Sequence, residues 1–138
     1  MFLRRILDFL FSINKPHESE DKTPHKRERI PKDVRDAVWV TYHGTNTQGV
    51  CYVCAKPVER YNRGWHCSHV IADSKGGTET VENLRVCCQH CNLSMGDQNL
   101  YAYIRDKNMI GPGSKNVNKY FQCHKNQIND KRTNNYGR

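Results

Sequence analysis

The spacing of apolar positions predicts a small domain that begins and ends with a helix. Pro31 suits the first turn of a helix, apolar residues then recur at helical spacing, and Gly44 can end it, so we predict a helix over residues 31–44. Its apolar positions are Val34, Ala37, Val38 and Tyr42. A last helix is predicted over residues 97–106. Its apolar side comprises Leu100, Tyr101 and Ile104.

Between these two helices the pattern changes to strands and turns. Residues 61–71 are strand-like, and Gly76-Gly77 marks a loop. Thr80 and Asn83 are typical of a helix entry, and we predict that a helix contains or begins at the segment Cys88-Gln-His-Cys91. Short strands followed by a helix indicate an α+β domain.

Polar flanks surround this region, so we divide the chain into three parts. Residues 1–30 combine an apolar segment with a polar linker, residues 31–105 form the domain, and residues 106–138 form a basic tail. Gly111-Pro112-Gly113 breaks the chain, and we expect the part of the tail that follows to be polar and mobile. The apolar segment, residues 2–13, is too short to span a bilayer and contains charged residues. Docking of this segment on the domain, on a protein partner or on a membrane surface stays open.

Two cysteine pairs share one spacing, Cys51-Tyr-Val-Cys54 and Cys88-Gln-His-Cys91. Two C-x-x-C pairs brought together supply the four thiolates of a tetrahedral structural zinc ion. Because only 36% of the 138 residues are apolar, the core is small and such an ion would stabilise it. The seven cysteines are odd in number and no cleavable signal is evident, which favours zinc over disulfides and an intracellular, reducing compartment over secretion.

The segment enclosed by the cysteine pairs carries a cluster of histidines and asparagines. His69 is suited to deprotonate water, because imidazole titrates near neutral pH. Asn92 directly follows Cys91, so a zinc ion would hold its amide oxygen in place as a ligand for a hard cation. Asn83 can hydrogen-bond loop backbone and hold strand and helix in register.

These residues belong to a longer run that resembles the HNH endonuclease family in its zinc-bearing form. The run consists of His66-Cys67-Ser68-His69-Val70-Ile71, Gly76-Gly77, Glu82-Asn83-Leu84-Arg85, Cys88-x-x-Cys91-Asn92 and Met95-Gly96-Asp97-Gln98-Asn99-Leu100. The resemblance covers roughly residues 31–105, and its Ser-Met-Gly ending is similar to that of phage and large-virus members.

The resemblance implies a small ββα-metal (HNH, His-Me finger) domain with a structural zinc ion, flanking helices and basic tails. It further implies an enzyme that hydrolyses phosphodiester bonds, usually in double-stranded DNA, with Mg²⁺ or Mn²⁺. By position His69 matches the general base, Asn83 the residue that shapes the loop, and Asn92 the ligand of the catalytic cation. The positions that match the structural zinc ligands are Cys51, Cys54, Cys88 and Cys91.

One position departs from the family pattern. The residue before the base histidine is usually Asp or His and binds the catalytic cation, whereas Ser68 stands here, and a neutral hydroxyl is a weak ligand for Mg²⁺. Three interpretations stay open: Ser68 binds the cation through water, His66 or Asp73 replaces the missing ligand, or catalysis is weak or absent. Because strand alternation places His66 and Ser68 on one face, His66 is the favoured substitute, and imidazole suits Mn²⁺ better than Mg²⁺.

The net charge of +8 points to a polyanionic partner, most often nucleic acid. Residues 106–138 hold seven Lys or Arg and two Asp or Glu, and we interpret this tail as one that grips phosphates, although basic tails also occur as plain solvated segments. Four cations near the predicted site are candidates for phosphate contacts or, equally, ordinary surface charges. They are Arg63, Lys75, Arg85 and Arg105.

Other conspicuous residues have structural interpretations. We expect Cys67 and Cys87 to be buried thiols, Trp65 and Tyr61 to pack in the core or at its rim, and His90 to point outward.

Two other classes of protein compete with the nuclease. A non-catalytic zinc module that binds nucleic acid would explain Ser68 and the basic tail, and it predicts salt-sensitive binding without cation-dependent nicking. An interaction adaptor would use residues 2–13 as a docking helix. It predicts a protein partner, or membrane association, that is lost when this segment is deleted.

Overall fold

The computed structural model describes residues 29–133, with side chains up to residue 125. The apolar segment 2–13, for which docking on the domain, on a partner or on a membrane surface stays open, lies outside the described residues. Four helices and four short strands follow one another along the described part of the chain. They are α1 (Lys32–His43), β1 (Gln48–Val50), β2 (Pro57–Glu59), β3 (Trp65–His69), β4 (Leu84–Cys88), α2 (Gln89–Met95), α3 (Leu100–Asp106) and α4 (Val117–Thr133).

Helix α1 confirms the helix predicted over residues 31–44. Its C-terminal residue is followed by Gly44, whose φ of 58° lies in a region that glycine adopts without steric cost. Of the predicted apolar positions, Val38 is fully buried and Val34 and Tyr42 pack against the core, whereas Ala37 is exposed and Trp39 is fully buried instead. The Trp39 ring contacts the Trp65 ring, with 5.1 Å between their centroids, so α1 packs on the strand β3.

Two antiparallel hairpins form the sheet structure of the domain. Strand β1 pairs with β2, with Gly49 opposite Val58. Strand β3 pairs with β4 over five residues, from Trp65 opposite Cys88 to His69 opposite Leu84. The first C-x-x-C pair occupies the turn between β1 and β2, and the second begins at the last residue of β4.

The helix entry predicted at Thr80 and Asn83 is wrong. A single 3-10 turn, Val81–Asn83, occurs there and leads into β4. The sequence Leu84–Cys88 is mostly buried and pairs with β3, so the chain stays extended there. The helix predicted at the segment Cys88-Gln-His-Cys91 is confirmed, since α2 begins at Gln89. The order β3, β4, α2 therefore gives two strands followed by a helix, in agreement with the predicted fold class.

The prediction of a mobile tail after Gly113 is wrong for the described residues. A short 3-10 segment, Pro112–Asn116, leads into the long helix α4. The Tyr120 ring of α4 stacks on the Tyr101 ring of α3 at 4.4 Å between centroids, and this contact holds α4 against the domain. Up to residue 125, the exposed positions of α4 include the polar and basic residues Asn118, Lys119, Gln122 and Lys125.

Helix α3 confirms the last predicted helix, with a start three residues later than predicted. Its N-cap is Asn99, whose side-chain oxygen accepts from the N–H groups of Tyr101 and Ala102. Among residues 29–133, no helix is long and apolar enough to cross a membrane.

Candidate metal centre and nuclease site

Four sulfur atoms meet where the two hairpins join helix α2. The Sγ atoms of Cys51, Cys54, Cys88 and Cys91, here called the cysteine cluster, all lie within 4.8 Å of one another. The Cys54 and Cys88 sulfurs are 3.8 Å apart. A tetrahedral zinc ion with Zn–S bonds of about 2.3 Å requires sulfurs about 3.8 Å apart, so the cluster is compatible with a structural metal such as zinc.

The electrostatics of the cysteine cluster also favour a cation. A hydrogen bond from the Cys87 thiol holds the pKa of Cys51 well below its usual range. Burial and the nearby Cys51 sulfur raise the pKa of Cys54 and of Cys91. Four adjacent sulfurs cannot all ionise in a buried site without a positive charge between them, and a divalent cation supplies that charge.

The cysteine cluster fixes the start of helix α2. Cys88 is the N-cap of α2, and its sulfur accepts from the N–H of Cys91 at 3.4 Å. Asn92 is the next residue on this helix, so its position is set directly by the cluster. The two ends of the enclosed loop, Cys54 and Cys88, are 34 positions apart in sequence.

Beside the cysteine cluster, three polar side chains from β3 and α2 are joined by hydrogen bonds. The Ser68 hydroxyl donates to the Asn92 Oδ1 atom at 2.7 Å, and the Asn92 Nδ2 atom lies 3.0 Å from the His66 Nδ1 atom. We call His66, Ser68 and Asn92 the Ser68 cluster. The structure thus brings together the three residues that the sequence analysis assigned to the catalytic cation.

Burial differs sharply within the Ser68 cluster. Ser68 is 0% exposed, whereas His66 and Asn92 are half-buried. Burial, and secondarily the Arg35 guanidinium, lowers the pKa of His66. The lowered pKa favours the neutral ring, and a neutral imidazole with a carboxamide oxygen could bind a cation such as Mn²⁺ once the Asn92 amide turns its N–H₂ group away from the His66 Nδ1 atom.

His69 lies at the end of β3, opposite Leu84. Because successive side chains of a strand point to opposite faces, the His69 side chain extends from the face opposite to that of Ser68. His69 is half-buried. The strand therefore presents two imidazoles on opposite faces, that of His66 within the Ser68 cluster and that of His69 on the other face.

Asn83 holds the loop that follows His69. Its side chain accepts from the N–H of Ile71 and donates to the carbonyl oxygens of Ile71 and Thr78, as predicted for a residue that hydrogen-bonds loop backbone. A Cβ atom at Gly77 would lie 1.7 Å from the Ile71 carbonyl oxygen, so only glycine fits this close approach. Asp73, the other candidate ligand, is exposed in a 3-10 turn of this loop.

The four cations predicted to contact phosphates have different environments. Arg63 is exposed, Lys75 is exposed and lies 3.6 Å from the Asp97 carboxylate, and Arg105 pairs with Asp106 at 2.8 Å. Arg85 is instead half-buried.

The surroundings of Arg85 are aromatic. Its guanidinium carbon lies 5.4 Å from the ring centroids of Tyr42 and Tyr52, and one nitrogen is 3.4 Å from the Tyr101 hydroxyl. The guanidinium group donates two further hydrogen bonds, to the carbonyl oxygens of Glu82 and Leu84. These contacts tie α1, β4 and α3 together, which is a structural role.

The remaining sequence-based expectations have mixed outcomes. Cys67 and Cys87 are buried thiols and Trp65 is in the core, as predicted. Tyr61 is 81% exposed, so the prediction that it packs in the core or at its rim is wrong, because it lies in the polar connection between β2 and β3. His90 is exposed, as predicted.

Sequence reasoning missed two interactions at the site. Arg35 on α1 lies over the Trp65 ring at 4.4 Å and contributes to the lowered pKa of His66. The hydrogen bond between Ser68 and Asn92 joins positions 24 apart in sequence. The position of His66 and Ser68 on one strand face was a usable signal for the hydrogen bond between Ser68 and Asn92. No pattern in the sequence indicates the contact of Arg35 with Trp65.

The fold and site together define a small α+β domain of the ββα-metal class, with a cysteine cluster suited to zinc. Residues 51–108 match the family model described as HNH endonuclease. The resemblance seen in the sequence is thereby confirmed, and these residues form an HNH-family domain. No curated protein and no solved structure matched the chain.

Proposed function

We propose that this protein is a metal-dependent HNH endonuclease that hydrolyses phosphodiester bonds in DNA, with His69 as the general base. The observation that carries the proposal is the Ser68 cluster, which places an imidazole and a carboxamide side by side in a domain of the HNH family.

Each residue has a defined task in this proposal. The cysteine cluster holds a structural zinc ion, and His66 with Asn92 would hold Mg²⁺ or Mn²⁺. When bound, that cation stabilises the negative charge that develops on the phosphate and on the leaving oxygen. His69 takes a proton from the attacking water, and Asn83 keeps the end of β3 and the following loop in place.

Charge outside the site supports a nucleic-acid substrate. Arg63 and Lys75 are exposed, and helix α4 adds the exposed residues Lys119 and Lys125. Such side chains bind the backbone of double-stranded DNA without reading its bases. We therefore propose DNA as the substrate and expect cleavage with weak sequence preference.

Nicking of supercoiled plasmid tests the proposal. The purified protein is assayed with Mg²⁺, with Mn²⁺ and with a chelator, beside the variants His69→Ala and His90→Ala. We expect cation-dependent nicking that falls by about 10²-fold or more in His69→Ala, because general-base catalysis contributes at least that much. His90 is exposed and serves as the matched control. Equal rates for His69→Ala and the parent protein would refute the role of His69.

The second candidate function is a non-catalytic zinc module that binds nucleic acid. The burial of Ser68 favours it, because the position that usually carries an ionised or imidazole ligand has no exposed donor atom. This function predicts binding that weakens steeply with salt and no nicking in any cation. The plasmid assay and a salt titration of binding therefore separate the two functions.

A further inference from the structure

Ser68 combines complete burial with a polar role. Its exposure is 0%, and its hydroxyl donates to the Asn92 Oδ1 atom at 2.7 Å. Burying a hydroxyl costs free energy unless it is hydrogen-bonded, so this bond decides how Asn92 is oriented in the folded protein. An acidic side chain at the same place would bury a charge, which a serine avoids.

The orientation of Asn92 is transmitted to His66. Because the amide oxygen of Asn92 accepts from Ser68, its amide nitrogen faces the His66 Nδ1 atom at 3.0 Å. An amide N–H₂ group only donates, so Nδ1 is the acceptor, and the neutral ring carries its proton on Nε2. One hydroxyl thus sets both the direction of a carboxamide and the tautomer of an imidazole.

Strand pairing holds the backbone of Ser68. The residue lies opposite Arg85 of β4, and β4 ends at Cys88 of the cysteine cluster. This arrangement leaves the Ser68 oxygen surrounded by protein groups.

We propose that Ser68 is a positioning residue that orients Asn92 and His66, and that it is not a ligand of the catalytic cation. The proposal rests on the proposed function only in giving His66 and Asn92 the task of holding that cation. For that task the Asn92 amide would turn so that its oxygen faces the cation and the His66 Nδ1 atom is freed, and the Ser68 hydroxyl would then accept from the amide N–H₂ group. It replaces the interpretation in which Ser68 binds the cation through water.

The test is made on the zinc-loaded full chain, first without Mg²⁺ or Mn²⁺. Nuclear magnetic resonance follows the side-chain amide of Asn92 and the ring nitrogens of His66, assigned with Asn92→Asp and His66→Gln. In Ser68→Ala we expect the His66 ring to change from one tautomer to a mixture and the Asn92 amide signals to lose their dispersion. Ser68→Thr keeps the hydroxyl and should restore both signatures; if it does not fold, Ser68→Cys keeps a weak donor and should restore them in part. Cys67→Ala, a buried substitution at the neighbouring position, is the matched control and should leave them unchanged.

A second measurement adds the cation. We expect the affinity for Mn²⁺, measured by electron paramagnetic resonance, to fall about 10- to 100-fold in Ser68→Ala, as is typical when a group that orients a ligand is removed. The rate constant kcat for nicking should fall while KM for plasmid stays the same.

Two outcomes overturn the proposal. The first is a Ser68→Ala protein whose Asn92 and His66 signals match those of the parent. The second is a variant that keeps these signals without the cation yet loses Mn²⁺ binding, since that would make Ser68 a ligand. If the parent protein neither nicks DNA nor binds Mn²⁺, the proposed function fails, whereas the cation-free signals still decide the role of Ser68.

Discussion

The side chain of Asn83 hydrogen-bonds both backbone groups of Ile71, twelve positions earlier in the sequence. Its Oδ1 atom accepts from the Ile71 N–H at 2.9 Å, and its Nδ2 atom donates to the Ile71 carbonyl oxygen at 3.0 Å. The backbone adds a bond of 2.7 Å from the Val70 N–H to the Asn83 carbonyl oxygen. Together these bonds continue the pairing of β3 and β4 beyond His69, so the end of β3 is fixed.

Replacing Asn83 by Ala should loosen this end of the hairpin. The variant loses three side-chain hydrogen bonds, and we expect the free energy of unfolding to fall by about 1–3 kcal/mol. Hydrogen exchange should show faster exchange of the Ile71 amide, and plasmid nicking should slow. Asn62→Ala removes an exposed asparagine and is the control. Unchanged exchange at Ile71 would contradict the prediction.

Removal of one sulfur from the cysteine cluster should remove the metal and most of the stability. In Cys54→Ser we expect elemental analysis to find less than one zinc ion per chain, because three thiolates bind zinc more weakly than four. Thermal unfolding followed by circular dichroism should shift to lower temperature, as metal binding is coupled to folding in small domains.

The control for this experiment is Cys123→Ser, since Cys123 is exposed on α4. It should keep one zinc ion and the melting temperature of the parent protein. A strong chelator should shift the melting curves of both the parent protein and the control to lower temperature. If Cys54→Ser retains a full zinc ion and melts with the parent, the cysteine cluster is not the metal site.

The environment of Arg85 predicts a loss of stability rather than a loss of DNA binding. Arg85→Lys cannot reproduce the forked hydrogen bonds to Glu82, Leu84 and Tyr101, because an ammonium group is a single point of charge. We expect the free energy of unfolding to fall by about 1–3 kcal/mol. The dependence of DNA affinity on salt should stay that of the parent protein, as measured by fluorescence anisotropy.

Arg63→Gln is the contrasting variant. Arg63 is exposed, so its removal should leave the unfolding free energy within about 0.5 kcal/mol of the parent and reduce the salt dependence of DNA binding. If Arg85→Lys instead changes the salt dependence and leaves stability intact, Arg85 contacts phosphate as the sequence suggested.

The parts of the site that were predictable from sequence are those encoded by local spacing. The C-x-x-C pairs specify a metal cluster because both cysteines of a pair come from one turn, and the cluster is indeed formed. The Ser68 cluster was only partly predictable. Strand alternation places His66 and Ser68 on one face, but the contact with Asn92 depends on how α2 leaves β4.

Two misjudged segments show why local patterns are not sufficient. Thr80 and Asn83 are residues that also begin helices, and pairing with β3 instead keeps the chain extended after Asn83. The segment 117–133 has few apolar residues, so its pattern resembles a solvated tail. Contacts of Tyr120 with α3 give this segment its packed side, and such contacts between distant residues are not visible in the sequence.

Helix α4 should therefore contribute to stability through Tyr120. The ring stacks on Tyr101, and its hydroxyl accepts a hydrogen bond of 2.8 Å from Asn99, the residue that caps α3. We expect Tyr120→Ala to lower the free energy of unfolding by about 1–3 kcal/mol and Tyr120→Phe by about 1 kcal/mol, since the latter loses only the hydroxyl. Lys119→Ala, at an exposed position on the same helix, should unfold in urea with the midpoint of the parent protein. A Tyr120→Ala midpoint equal to that of Lys119→Ala would mean that α4 does not pack on the domain in solution.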